Sequence, residues 1–235
     1  MNLDPGKDTV LSQPAYEYTH LLASLPRMPL TLQTACSPVS EITLRKRLSA
    51  INAIDQARLA QLRLLVDWQS IVSEKDKHSQ LAVLSSLVQR VACGGLNLFI
   101  TQVIDLRALV AALVARSQGN TLAGDWTPSQ LRGVIHQHWQ EPTFGLGRRY
   151  GWLEKAQQFI LNQQFYSLEQ LMMQKIWRGL SRLANGLQYD FTALAVYYLQ
   201  WCIIDRWRSY QADAAMVVFE SILDALPEPE LSDVS

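Results

Sequence analysis

Two things are scarce in this sequence: cysteine, and charge of one sign. Its 235 residues contain three cysteines, Cys36, Cys93 and Cys202, far apart and odd in number. None forms a CxxC pair or a zinc-ligand spacing, so they read as reduced cytosolic thiols. Lys+Arg and Asp+Glu are both 21, a formal net charge of zero. Phosphate binding draws on a basic excess, so nucleic acid is not expected as a partner. Neutrality also removes the self-repulsion that keeps a free protein monomeric. With 49 % apolar residues and seven tryptophans, the composition favours a protein partner. A domain of this length buries about 70–75 % of its unfolded surface and needs no metal or disulfide staple.

Clean membrane segments are also lacking. LNLFITQVIDLRALVAALV carries Asp105 and Arg107 at its middle, and FTALAVYYLQWCIID falls short of the roughly 20 residues a span requires. The leader MNLDPGKDTVLSQP has no basic region followed by an apolar core, so neither a signal peptide nor a direct membrane span is expected. Glycine and proline, 11 and 9 residues, fall mostly between apolar-periodic segments, and period-two alternation is absent.

What is present is helical spacing, and the expected class is all-α with at least eight helices. Residues 15–25 form a short apolar element that fits helix or strand. Pro38 and Ser40 open a helix through Leu44 and Leu48, and Asp55 is an N-cap for the next, through Leu59, Leu62 and Leu65. SEKDKHS is a polar connector. Leu81 to Val91 marks another helix, stopped by Gly94-Gly95, and Leu96 to Arg116 a long one closed by Gly119-Asn120. Thr127-Pro128-Ser129-Gln130 is a helix start with a capping-box glutamine. Later helices run from about Trp152 to Asn162, from Ser167 to Gly186, from Asp190 to near Trp207, and from Ala212 to Leu226. Residues 1–14 are expected to be a disordered leader, 15–118 and 119–226 two helical lobes, and 227–235 a disordered acidic tail.

The segment His136 to Trp152, HQHWQEPTFGLGRRYGW, concentrates polar and aromatic residues between ordinary helices. His136 and His138 alternate, so on a helix they diverge by about 200°, whereas a helical metal site uses i,i+4 spacing. FGLGRRYG is neither GxGxxG after a strand nor GxxxxGK[ST]. GxSxG, a Cys-His pair and paired carboxylates are missing too, so no catalytic residues, cofactor or metal are expected. Asp105/Arg107 and Asp205/Arg206/Arg208 lie within apolar helices, where they fit structural ion pairs or a buried acid–base pair. Trp201 and Trp207 read as core. In the loop, Arg148 and Arg149 should be exposed and Phe144 and Trp152 should anchor it, with Glu141 pairing the arginines. Glu141, Arg148 and Arg149 are thus the candidate partner surface.

AYEYTHLLASLP, LRKRLSAI with DQARLAQLRLLVDW, HWQEPTFGL, YGWL and WCIIDRWRSY, in that order, resemble an uncharacterised bacterial family associated with V/A-type rotary ATPases. That family is similar to a shortened form of the C-type central-stalk adaptor of those ATPases, which is the d-type adaptor of the vacuolar enzyme. The resemblance runs from Tyr16 to Leu226 and is most specific at EPTFGL, Glu141 to Leu146, and IIDRWRSY, Ile203 to Tyr210. IDLRALVAALVARSQG is also similar to the helix of that adaptor in which an acidic residue precedes a basic stretch. The resemblance implies an all-helical body that links the rotor shaft to the membrane ring, either as a stable component or as an assembly factor. Its partners would be the central-shaft and membrane-ring subunits, and its place cytoplasmic, peripheral to the inner membrane. It would serve ion or proton transport without catalysis. Two alternatives stand beside it: a helical ligand binder or enzyme using an inter-lobe pocket, and a helical scaffold unrelated to ATPases.

Overall fold

The computed structural model describes residues 15–32, 36–67, 94–120, 129–187 and 189–225. Among the described residues there are eight α-helices and no strand, as the periodicity predicts. They are α1 (Ala15–Ser24), α2 (Glu41–Leu48), α3 (Ala53–Arg63) and α4 (Gly94–Ser117), then α5 (Arg132–Gln137), α6 (Leu153–Leu161), α7 (Phe165–Ala184) and α8 (Phe191–Ala225). The expected helix Leu81–Val91, the cap at Thr127, the leader and the tail all lie outside the described residues. The ambiguous element at residues 15–25 is a helix over Ala15–Ser24.

Local capping explains several boundaries. Ser40 is extended, and its hydroxyl accepts from the Thr43 amide at 3.3 Å, opening α2. Asp190 Oδ1 accepts from the Ala193 amide at 3.0 Å and opens α8. Gly119, with φ +84°, ends α4 while the Asn120 amide reaches back to the Ala115 carbonyl at 3.2 Å.

Other boundaries differ from the sequence reading. The N-cap of α3 is Asn52, whose Oδ1 accepts from the Asp55 amide at 2.8 Å, and Asp55 lies one turn inside, buried. α7 begins at Phe165, directly after Gln163 and Gln164, so Ser167 is an interior residue. α4 begins at Gly94, two residues before the expected Leu96. The two helices expected between Asp190 and Leu226 are one continuous helix, α8, because polar residues 205–213 contain no glycine or proline to break it.

The buried residues form one contiguous apolar core. α8 packs against α7, α3 and α1, and α4 against α7 and α6. Two glycines let α4 and α7 approach closely. A Cβ on Gly95 would lie 2.7 Å from Leu183 Cδ1, and one on Gly179 would lie 3.0 Å from the Phe99 ring. By length and hydropathy the Gly95–Ser117 stretch is sufficient to cross a membrane, yet 56 % of its most apolar window is buried within this protein. α4 therefore serves as a core helix: Leu96, Ile100, Leu109 and Ala112 are fully enclosed. The Trp201 indole donates to the Val39 carbonyl at 2.9 Å, fastening the segment before α2 to α8.

Candidate functional site

The segment after α5 has unusual backbone. Glu141 is extended ahead of Pro142, and then Thr143 (φ 52°, ψ 24°), Phe144 (φ 54°, ψ 32°) and Gly145 (φ 68°) are all left-handed. For Thr143 and Phe144 this costs about 1–2 kcal/mol each, since Cβ crowds the following carbonyl. Surrounding contacts must offset that strain.

Those contacts are identifiable. The Phe144 ring is fully buried and stacks on Trp139, centroids 5.6 Å apart with a 24° interplanar angle. Arg116, in the last turn of α4, lies over the other side of the site with its guanidinium carbon 4.6 Å from the Phe144 centroid. The same guanidinium donates to the Glu141 carbonyl at 2.6 Å and the Trp139 carbonyl at 3.2 Å. Trp139 Nε1 donates to the Asn120 carbonyl at 3.3 Å, so α4 and its C-cap hold the turn from two points. Backbone bonds from Phe144 to Glu141, Leu146 to Thr143 and Tyr150 to Leu146 close the loop on itself.

Beyond this clamp, Arg148 and Arg149 are exposed, as expected. Arg149 lies over the Tyr150 ring at 5.4 Å, and partial burial pushes the Tyr150 phenol above its ordinary range. Glu141 departs from expectation. Its carboxylate pairs with His138 Nδ1 at 2.7 Å, because both belong to the same turn, and does not reach the arginines. The expected anchors also separate: Phe144 is enclosed, whereas Trp152 is only half-buried, edge-on to Tyr150, and the enclosed side chain beside it is Leu153.

The acid–base sets within the helices have partners that sequence proximity does not show. Asp105 is buried, and its Oδ1 accepts from Ser129 Oγ at 2.6 Å and the Gln130 amide at 3.0 Å, capping the turn that leads into α5. Arg107, 8 % exposed, donates to the carbonyls of Leu64 and Asp67 at the end of α3. Asp105 and Arg107 thus act as two separate helix-end caps, since positions two apart on a helix diverge. Burial lowers the Arg107 pKa to about 10, with Asp67 opposing.

Asp205 and Arg208 are exposed, while Arg206 is partly buried and bonds Glu169 Oε1 at 3.2 Å and the Tyr210 hydroxyl at 2.6 Å. Tyr210 also donates to Glu169, and its ring meets Tyr166 edge-on at 5.3 Å. This Glu169–Arg206–Tyr210 network, which ties α7 to α8, was not legible in the sequence. Neither was the Tyr18 hydroxyl's bond to Asp55, nor the role of Arg116.

One open groove of about 510 Å³ runs along α2, lined by Glu41, Ile42, Arg45, Lys46 and Ser49, and none of the candidate residues borders it. Among the described residues, no three His, Cys, Asp or Glu side chains gather to hold a metal ion. The arrangement at residues 138–150 can present charge rigidly to a partner. No family model, curated protein or solved structure matches the chain. The fold and site define an all-α protein with a clamped, arginine-tipped loop.

Proposed function

We propose that this protein is a non-catalytic central-stalk adaptor or assembly component of a bacterial V/A-type ATPase, working in the cytoplasm at the inner membrane and contacting the shaft and ring subunits. The ordered resemblance from Tyr16 to Leu226 supplies the ATPase assignment. The observation that carries the mode of action is the loop: Arg148 and Arg149 stand exposed on a turn whose left-handed residues are held by Arg116 and Phe144. Holding a contact loop rigid before binding lowers the entropy lost on association. Arginine is also enriched where interfaces bind most strongly. The two segments most specific to the resemblance have distinct placements. Glu141 to Leu146 contains the strained turn, and Ile203 to Tyr210 supplies the Arg206 and Tyr210 that hold Glu169 of α7.

Affinity purification of the tagged protein from its native cells tests this reading. Recovery of ATPase shaft or ring subunits is the expected result. If the ATPase purifies without the protein, and deletion of its coding sequence leaves rotor assembly unchanged, the reading fails.

A further inference from the structure

Lys175, Arg178 and Arg182 occupy positions i, i+3 and i+7 of α7, which places them on one helical face. Arg178 and Arg182 are exposed and Lys175 is partly buried. The sequence contains no Asp or Glu between Glu169 and Asp190. Of these two flanking carboxylates, Glu169 is taken by Arg206 and Tyr210, and Asp190 caps α8. Among the described residues, the ion pairs join Arg45 to Glu41, Arg58 to Asp55, His138 to Glu141 and Arg206 to Glu169, and leave this ridge out. Burial lowers the Lys175 pKa, and repulsion from Arg178 and Arg182 lowers it further. Lys175 is therefore close enough to Arg178 and Arg182 to feel their repulsion, and among the described residues no acid pairs with the ridge.

An overall neutral protein has acids to spare, so a ridge of like charge is a local choice with a local electrostatic cost. An apolar side chain lies level with it. Gly95 packs on Leu183 and Phe99 on Gly179, which places Leu98 of α4 beside the Arg178–Arg182 turns, and Leu98 is 69 % exposed.

We propose that the Lys175–Arg178–Arg182 ridge, with Leu98 beside it, is a docking surface for an acidic amphipathic helix of a protein partner. Lys175 and Arg182 are separated by seven residues, about 10.5 Å along the axis, which matches carboxylates at i and i+7 of an apposed helix. Carboxylates of the partner replace the acids missing from the ridge, and its apolar face covers Leu98. The zero net charge disfavours a polyphosphate partner, whose binding draws on a broad basic excess. This surface is separate from the Arg148/Arg149 loop and does not depend on which complex the protein joins.

The test titrates the full-length protein with a synthetic helical peptide of about 14 residues. It carries Glu at i, i+4 and i+7 with leucines on an adjoining stripe, and a control peptide has Gln for each Glu. Expected are saturable binding of the Glu peptide and loss of about tenfold or more in affinity, about 1.4 kcal/mol, in Lys175→Gln/Arg178→Gln/Arg182→Gln. Binding should also weaken from about 0.1 M to about 1 M salt, as the screening length drops from about 10 Å to about 3 Å. Arg148→Ala/Arg149→Ala should bind the peptide like wild type. The exposed pair Arg178→Gln/Arg182→Gln serves as a second variant should the triple one fold poorly, with a loss of several-fold expected. Equal binding of the Gln peptide, or undiminished affinity in the ridge variants, overturns the proposal. It is also overturned if a single-stranded oligonucleotide or anionic phosphatidylserine vesicles displace the peptide and bind the ridge more tightly. A lower melting temperature in Arg178→Gln/Arg182→Gln with unchanged peptide affinity would assign those arginines to the α7 dipole alone, and overturn it too.

Discussion

Arg116 lies over Phe144, 4.6 Å from guanidinium carbon to ring centroid, while the same guanidinium holds the carbonyls of Glu141 and Trp139. One side chain at the end of α4 thus stabilises both the ring and the backbone of a turn that its own residues disfavour. Replacing Arg116 with alanine removes the cation over the ring and two charge-assisted hydrogen bonds. We expect a loss of about 1–3 kcal/mol in chemical denaturation. Hydrogen exchange at residues 141–146 should rise more than elsewhere. Arg116→Lys should recover little, because an ammonium cannot span both carbonyls and the ring face at once.

Phe144 and Trp152 are expected to differ. Phe144 is fully enclosed, so Phe144→Ala leaves a cavity against Trp139 and should cost about 3–5 kcal/mol. Trp152 is half-buried and caps α6 without a side-chain bond, so Trp152→Ala should cost clearly less. Urea midpoints of the two variants decide it, and equal losses would contradict the placement of Trp152.

The sequence disclosed features that depend on a few neighbouring residues. Ser40, Asp190 and Gly119 act over three to five positions, and their roles follow from local backbone geometry. Asp55 was misplaced because Asn52 and Asp55 are both good caps one turn apart, and burial against Tyr18 selects between them. α8 runs on past Trp207 without a break, because the residues between Trp207 and Ala212 include no glycine or proline to interrupt it. In the candidate site, the exposure of Arg148 and Arg149 and the burial of Phe144 were legible from the residue types alone. Arg116 with Glu141, 25 positions apart, and Glu169 with Arg206, 37 apart, are products of packing that no local spacing encodes.

Alkaline stability should follow the buried thiol and phenols. Burial raises Cys202 from 9.0 to about 12, and Tyr197, Tyr198 and Tyr210 from 10.0 to about 12, with Glu169 adding to the effect at Tyr210. In these intervals the unfolded chain has lost protons that the folded chain retains, so stability falls as pH rises. Arg107 acts in the opposite sense above about pH 10, because burial lowers its folded value. Lys175 and Arg116, also lowered by burial, act in the same sense as Arg107. The large rises at Cys202 and the three phenols dominate near pH 9–10, and the phenols, being partly exposed, contribute less than their shifts imply. The urea midpoint should begin to fall near pH 9, the ordinary Cys202 value, and drop faster above pH 10. In Cys202→Ala the onset should move to about pH 10. An unchanged onset would mean that the thiol is not buried in solution.

The arginine pair at the loop tip permits a clean separation of binding from folding. Arg148 and Arg149 are exposed and make no ion pair with Glu141, which is engaged by His138. Exposed charges contribute about 0–1 kcal/mol even when paired, so Arg148→Ala/Arg149→Ala should keep the wild-type melting temperature within a degree or two. Arg149 also shields one face of Tyr150, and that contact is the folded-state interaction at stake. If the loop contacts the ATPase, the double variant should recover fewer shaft and ring subunits in affinity purification, with the recovered fraction falling further as salt is raised. The single variants should each show part of the loss, since both arginines face solvent. The opposite pattern, unfolding of the double variant with binding preserved in proportion to the folded fraction, would make the arginines a structural fastening and locate the partner surface elsewhere on the molecule.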